Sequence, residues 1–193
     1  MTKVEVLAGV AVLCVGGWFL VASLGRSGVE RDRQACLANL TEIGRGIDAY
    51  LREHDHRWPY VAKLRSAKLH EPPWPTLPEV LAPYLGDDRA EVFHCPADSR
   101  RLTEDDPLAK TFPRSTTYLA TEGLSYEWYW GEVYGGHRVG HEAMSSAKGF
   151  GFSRADQILL SDFEPFHRGD GGGAMNTLYA DFKARPARAE RDE

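Results

Sequence analysis

Hydrophobic and polar residues divide the chain into stretches of different periodicity. Across residues 6–24 nothing is charged. At about 1.5 Å per residue, a helix of that length just spans a hydrocarbon core of roughly 30 Å. Farther on, Cys36, Leu40, Ile43, Ile47 and Tyr50 recur at spacings of three and four, with Leu37 and Leu51 alongside. Arg33, Glu42, Arg45, Asp48 and Arg52 take the opposite face. This pattern predicts an amphipathic helix over 29–54. Ser27-Gly28-Val29-Glu30 has the form of a capping box at its start. The apolar stripe of such a helix needs a partner, and a sheet is the natural one.

The rest of the chain supplies that sheet. Five prolines fall within 71–83, which excludes a long helix or a central strand there. Residues 77–85 read as a short helix with Pro78 in its first turn, ended by Gly86-Asp87-Asp88. Residues 116–120 and 125–130 are rich in aromatic and β-branched side chains and read as strands. Residues 131–151 are glycine-rich and read as loop. The apolar runs 157–162 and 177–182 are further strands, joined by a loop over 163–176. The fold class expected is therefore α+β. A long N-terminal helix, half transmembrane and half amphipathic, packs on a small antiparallel sheet within 116–184. Residues 1–26 form the hydrophobic helix, and 27–193 form one ordinary domain.

Charge narrows the partners. The net charge is −5 and the pI about 5.8, with no basic face to neutralise phosphates, so a nucleic-acid partner is not expected. Lys183, Arg185, Arg188 and Arg191 are interleaved with Glu190, Asp192 and Glu193 and read as a solvated tail. The apolar N-terminus admits three readings: a cleaved secretory signal with Lys3 as its basic region and a weak cleavage site at Val21-Ala22-Ser23, a plain signal anchor, or an assembly helix. The run is long for a signal, and Glu5 sits at its mouth. A carboxylate at the edge of a bilayer costs about 2–3 kcal/mol unless paired. Arg26, Arg31 and Arg33 follow the run, so charge counting alone keeps that side cytoplasmic; removal of a basic leader would set the opposite orientation. Gly9, Gly16 and Gly17 are ordinary glycine use in a membrane helix.

Candidate chemistry is sparse. His137 and His141 are spaced like zinc ligands, but glycines surround them and no glutamate stands at the metalloprotease position. Nucleophile elbow, phosphate loop and dinucleotide fingerprint are all lacking, and no enzyme is expected. Cys14 lies in the apolar run and reads as a small buried hydrophobe. Cys36 and Cys95 remain as a pair. A metal or redox site would want a Cys-x-x-Cys or converging histidines, so a disulfide between helix and loop is the better reading. Closing a loop of about 60 residues would contribute about 4 kcal/mol on the chain-entropy model and requires an oxidising compartment.

Several blocks carry a resemblance. Met1-Thr2-Lys3-Val4-Glu5-Val6-Leu7-Ala8 resembles the start of a mature type IV pilin or type II secretion pseudopilin, with Lys3 where those proteins carry an apolar residue. Arg33-Gln34-Ala35-Cys36-Leu37-Ala38-Asn39-Leu40, Ile43-Gly44, Tyr50 and Trp58-Pro59 are similar to a bacterial group of pilin-like proteins related to pseudopilin G. Val92-Phe93-His94-Cys95-Pro96-Ala97-Asp98 matches an element that recurs in that group. So do Asp162, His167, Gly169 to Gly173 and Asn176-Thr177-Leu178-Tyr179-Ala180-Asp181, except that Phe182 stands where a turn glycine is expected. The resemblance implies a structural subunit of a pilus or pseudopilus. Its Glu5 would pair with the Met1 α-amino group of a neighbouring copy during assembly. Its partners would be copies of itself or related pilins, an inner-membrane assembly platform and a prepilin peptidase. It would be a single-pass inner-membrane protein with its C-terminal domain in the periplasm or on a filament. It also implies a calcium loop, for which Asp162, Glu164, Asp170 and Asp181 offer hard oxygens. The alternative reading is that Asp162 and Asp181 satisfy turn amides and His167 is a hydrogen-bonding surface residue. The alternative function is a membrane-anchored periplasmic binding domain that does not polymerise.

Overall fold

The computed structural model describes residues 3–67, 69–130, 135–139, 157–169 and 172–187; for 3–27, 87–89, 168–169 and 172–174 it describes the backbone alone. The chain is α+β. Helix α1 runs unbroken over Lys3–Glu53, about 75 Å at 1.5 Å per residue. Ser27 to Glu30 lie inside it, so the expected cap does not form. Glu30 instead accepts hydrogen bonds from Arg33 (2.8 and 2.9 Å) and Gln34 (2.8 Å), one turn on. Among the residues whose side chains are described, no helix is long and apolar enough to cross a membrane; residues 6–24 lie outside that set.

The amphipathic half of α1 follows its sequence pattern. Cys36, Leu40, Ile43 and Ile47 are fully buried and Leu51 nearly so. The outer face carries the pairs Arg45–Glu42 and Arg52–Asp48, each contributing about 0.3–0.5 kcal/mol. The helix ends without glycine. Asp55 and His56 both take left-handed backbone (φ 52° and 55°), and the His56 N–H bonds the Leu51 carbonyl at 2.7 Å. That turn delivers Trp58 into the core, 1% exposed, with its ring 6.1 Å from Trp128 and 5.2 Å from Trp130.

Helix α2 occupies Leu77–Leu85, as the pattern predicts, with Leu77 and Leu81 buried. The Glu79 carboxylate accepts the Thr76 N–H at 2.7 Å, holding its first turn. Short strands follow: β1 Arg100–Arg101, β2 Ser115–Thr116, β3 Tyr126–Trp128, β4 Ile158–Asp162, β5 His167–Gly169, β6 Gly172–Ala174, β7 Asn176–Tyr179 and β8 Ala184–Pro186. The main sheet has the order β3-β4-β7-β8, and its neighbours all pair antiparallel. Leu160 stands opposite both Trp128 and Leu178. An irregularity between Ile158 and Leu160 lets Leu159 and Leu160 both be buried. β1 pairs with β2 and β5 with β6 as separate two-stranded ribbons.

Two glycines let α1 approach its neighbours closely. A Cβ at Gly44 would lie 3.0 Å from Leu178 Cδ1 on β7, and one at Gly46 would lie 3.0 Å from Leu85 on α2. Both distances are tighter than ordinary van der Waals contact. The turn after Asp181 is tight despite Phe182. That residue takes left-handed backbone (φ 58°), and its N–H bonds the Tyr179 carbonyl at 2.8 Å. Its side chain packs against the core, which offsets part of the conformational cost of a non-glycine residue there.

Residues 116–120 do not form the expected strand. Only Ser115–Thr116 is extended, and Tyr118–Glu122 is a short helix, α3. The reason is Asp98. Its carboxylate, 9% exposed, accepts the N–H groups of Tyr118 (2.9 Å) and Leu119 (2.8 Å) and the Ser125 hydroxyl (2.7 Å). These are amides that a helix start leaves free, so a tertiary contact overrides β propensity. At the other end of α3, fully buried Glu122 accepts from Arg100 Nη1 (2.6 Å) and from Ser66 N–H (3.0 Å) and Oγ–H (2.9 Å).

Two predictions follow from this packing. Gly44→Val should destabilise the domain by about 1–3 kcal/mol, the usual cost of overpacking, read as a lower urea midpoint with an unchanged slope. Asp98→Ala removes the common acceptor for three donors and should cost about 2–4 kcal/mol, whereas Asp98→Asn, which keeps an acceptor, should cost less. Equal losses for the Ala and Asn variants would show that these hydrogen bonds do not hold α3.

Candidate functional site

The chemistry-bearing residues converge where α1, the segment after Phe93, and the β4–β7 connection meet. Cys36 lies on the inner stripe of α1. Cys95 follows a 3-10 stretch over Asp87–Phe93. The two form a disulfide with Cα atoms 5.1 Å apart, and both are fully buried. Asn39, almost one turn past Cys36, donates from Nδ2 to the His94 carbonyl at 2.8 Å. The helix thus grips this segment covalently and by a hydrogen bond at adjacent residues. Asp98 then ties the same segment to α3. The Cys-Pro-x-Asp element is a structural joint.

His167 opens β5 and points inward. It is 1% exposed, and its Nε2 lies 3.4 Å from Cys95 Sγ and 3.6 Å from Asp162 Oδ2. The surface position expected for His167 is corrected: the β5–β6 ribbon folds the start of the loop back under α1. Asp162 is the last residue of β4 and fully buried. Its Oδ2 accepts the Asn176 N–H at 2.7 Å, closing the excursion between β4 and β7. Burial pushes the Asp162 carboxyl up to about 7, against the lowering effect of that N–H, and burial holds His167 below the usual imidazole range. Both shifts favour neutral side chains, since neither charge is solvated.

Among the described residues, the carboxylates considered for calcium, Asp162, Glu164 and Asp181, each have a different partner. Asp162 faces inward onto Asn176. Glu164 is exposed and accepts from the Tyr118 hydroxyl at 2.6 Å. Asp181 accepts the Lys183 N–H at 3.2 Å and pairs with Arg185 at 3.0 Å, at the β7–β8 turn. Asp181 thus satisfies a turn amide, whereas Asp162 satisfies the first amide of β7, fourteen positions on. Asp162 and Glu164 do not share a face, because the strand ends between them. Asp170 lies outside the described residues. Among the described residues, the group with metal-ligand proximity is Cys36, Cys95 and His167. His137 is exposed and its carbonyl accepts the Trp58 N–H at 3.0 Å, while His141 lies outside the described residues. Met1 also lies outside them; Glu5 falls on α1, with only its backbone described.

His167 is the residue whose place sequence reasoning missed. Its signal was weak: a lone histidine ahead of a glycine run, separated by 72 positions from Cys95. What the fold and site define is an α+β domain locked by a disulfide to the far half of a long helix. No family model, curated protein or solved structure matches the chain.

Asp162 gives a pH prediction. Its folded pKa is raised from 3.8 to about 7, so the folded state holds the proton more tightly than the unfolded one. The resulting stabilisation is complete below about pH 4 and is lost as pH rises through about 7. His167 has the opposite sign: its stabilisation is present above the unfolded imidazole pKa and is lost on acidification. Asp162→Asn isolates the first effect. The unfolding free energy of the wild type minus that of Asp162→Asn should fall by a few kcal/mol between about pH 4 and pH 8. A constant difference would mean that Asp162 is ionised throughout that range.

Proposed function

We propose that the chain is a pilin-like structural subunit that assembles through its N-terminal helix and does no catalysis. The observation that carries this reading is a single helix over Lys3–Glu53 whose second half lays Cys36, Leu40, Ile43, Ile47 and Leu51 on the sheet region. Its first half contains the uncharged run 6–24. A rod fixed at one end to a folded domain and apolar at the other suits side-by-side bundling. Small residues such as Gly9, Gly16 and Gly17 allow close helix approach. The disulfide suits an oxidising, extracytoplasmic setting. In this reading, subunits wait in the inner membrane with the domain outside, and Glu5 docks on the α-amino group of Met1 of a neighbour. A platform and a prepilin peptidase serve the assembly.

A second reading is an anchored binding domain that stays monomeric. A groove of about 460 Å³ favours it, lined by Leu64, Arg65, His70, Trp74 and Glu79 among others. The ring of His70 stacks on that of Trp74, with centroids 3.6 Å apart.

Glu5→Ala separates the two. In the native host, the wild type should yield sheared filaments containing this chain, and its native N-terminus should carry a methyl group on Met1. Glu5→Ala should lose the filaments at least about tenfold, because an unpaired carboxylate no longer guides docking, while the Cys36–Cys95 bond and the unfolding midpoint stay unchanged. A wild-type chain that remains monomeric in the membrane, or filaments indifferent to Glu5, would favour the anchored domain.

A further inference from the structure

We propose that Cys36, Cys95 and His167 form a binding site for a zinc-class divalent cation in the reduced chain, so that metal and disulfide are alternative closures of the same cross-link. The three donors come from three separate parts of the fold: α1, the segment after the 3-10 stretch, and β5. Their ligand atoms all lie within 4.8 Å of one another, and all three residues are buried. In a tetrahedral site, zinc–sulfur and zinc–nitrogen bonds of about 2.3 and 2.0 Å place sulfur and nitrogen about 3.5 Å apart. Cys95 Sγ and His167 Nε2 stand 3.4 Å apart. The imidazole edge is thus already at coordination distance from one sulfur. The two sulfurs must separate when their bond opens, and Cys36 Sγ already lies within 4.8 Å of the imidazole.

The burial of His167 supports the same conclusion. Its Nδ1 has no hydrogen-bond partner among the described residues, and its Nε2 faces sulfur and the Asp162 carboxyl. An imidazole buried with so little hydrogen bonding is costly as a packing element. Two thiolates and an imidazole form a donor set that suits zinc and excludes hard, oxygen-seeking cations. Asp162 Oδ2, 3.6 Å from the same nitrogen, is a further donor close by.

The chemistry balances with a phosphine and water. The phosphine attacks one sulfur and the sulfur–sulfur bond breaks. Water supplies oxygen to the phosphine, giving the phosphine oxide, and its two protons go to the two thiols. The cation then displaces both thiol protons as two thiolates bind. A peroxide returns the disulfide: one thiolate attacks the peroxide and the other attacks the resulting sulfenic acid, so that two electrons pass to the peroxide, two hydroxides leave and the ion is released.

The test uses the full chain in detergent with cobalt(II) as the probe. The phosphine-reduced wild type should bind one cobalt, with a thiolate-to-cobalt charge-transfer band and tetrahedral ligand-field absorption. The oxidised chain should show neither. Cobalt should slow alkylation of Cys36 and Cys95 by iodoacetamide at least about tenfold, mapped by mass spectrometry to separate them from Cys14. His167→Gln, with its fold verified by circular dichroism in the oxidised form, should weaken cobalt binding by at least the roughly 10–100-fold that loss of a mere supporting residue costs. Cobalt spectra lacking thiolate charge transfer, equal binding by the oxidised chain, or undiminished binding by His167→Gln would each overturn the proposal. If His167→Gln does not fold, the wild-type comparison decides: alkylation of the reduced pair at the same rate with and without cobalt overturns it.

Discussion

The structure depends on how closely α1 can lie against its neighbours. Between Ile43 and Ile47, both fully buried, the helix presents Gly44 to β7 and Gly46 to α2. Glycine inside a helix costs about 1 kcal/mol relative to alanine. Two of them within three residues are an unfavourable local choice unless packing recovers the loss. It does so by letting Leu178 and Leu85 sit against the helix backbone, where a methyl group would crowd each. The rod, the main sheet and α2 thus meet over one turn of α1, and the buried stripe runs outward from there in both directions.

Beyond that contact, the domain has little regular structure to hold it. Residues 54–76 and 94–117 are mostly turns, 3-10 pieces and two-residue strands. Buried carboxylates organise them. Asp98 starts α3, Glu122 at its end binds Arg100 and Ser66, and Asp162 closes the excursion between β4 and β7. A buried carboxylate that accepts several donors is sensitive to the loss of any partner, because the charge or lone pairs left behind cannot be hydrated. Such groups fix one geometry for segments whose hydrophobic content alone would allow many. The aromatic cluster of Trp58, Trp128 and Trp130 complements them by filling the space between the end of α1 and the sheet.

The stripe from Cys36 to Leu51 was readable because it repeats at the helix period, the short helix Leu77–Leu85 from Pro78 in its first turn and Gly86 at its end, and the strands holding Leu159, Leu160 and Leu178 as continuous apolar runs. Three features escaped because context outside the motif decided them. Residues 116–120 read as a strand, yet Asp98 takes the amides of Tyr118 and Leu119 and starts a helix there. Phe182 occupies a left-handed turn position that glycine fills at no steric cost, sustained by packing of its ring. Ser27 to Glu30 spell a helix start, but the helix arrives from upstream, so Glu30 turns to Arg33 and Gln34 instead. At the candidate site, the cysteine pair was readable from parity and exclusion. The inward turn of His167 was not, because it depends on the β5–β6 ribbon, which the glycine run conceals. Of the carboxylates read as calcium ligands, Asp162, Glu164 and Asp181 turn to different partners, which sequence proximity in a loop does not reveal.

The position of the cross-link along the helix explains why it is needed. Cys36 is the first fully buried position of the stripe, at the end nearest the uncharged run 6–24. At that end Cys36 meets the irregular segment around Cys95, with His167 of β5 beside it. A disulfide spanning 59 positions removes about 4 kcal/mol of unfolded-chain entropy, a large share of the roughly 5–15 kcal/mol net stability of a small domain. Asn39 extends the grip to the His94 carbonyl, so opening the helix end would break a covalent bond and a directional one together. Leu40 and Ile43 follow on the same face, so the stripe would peel from this end once Cys36 let go. The cross-link and the Asn39 hydrogen bond together fix this end of the buried stripe to a segment that has no regular structure of its own.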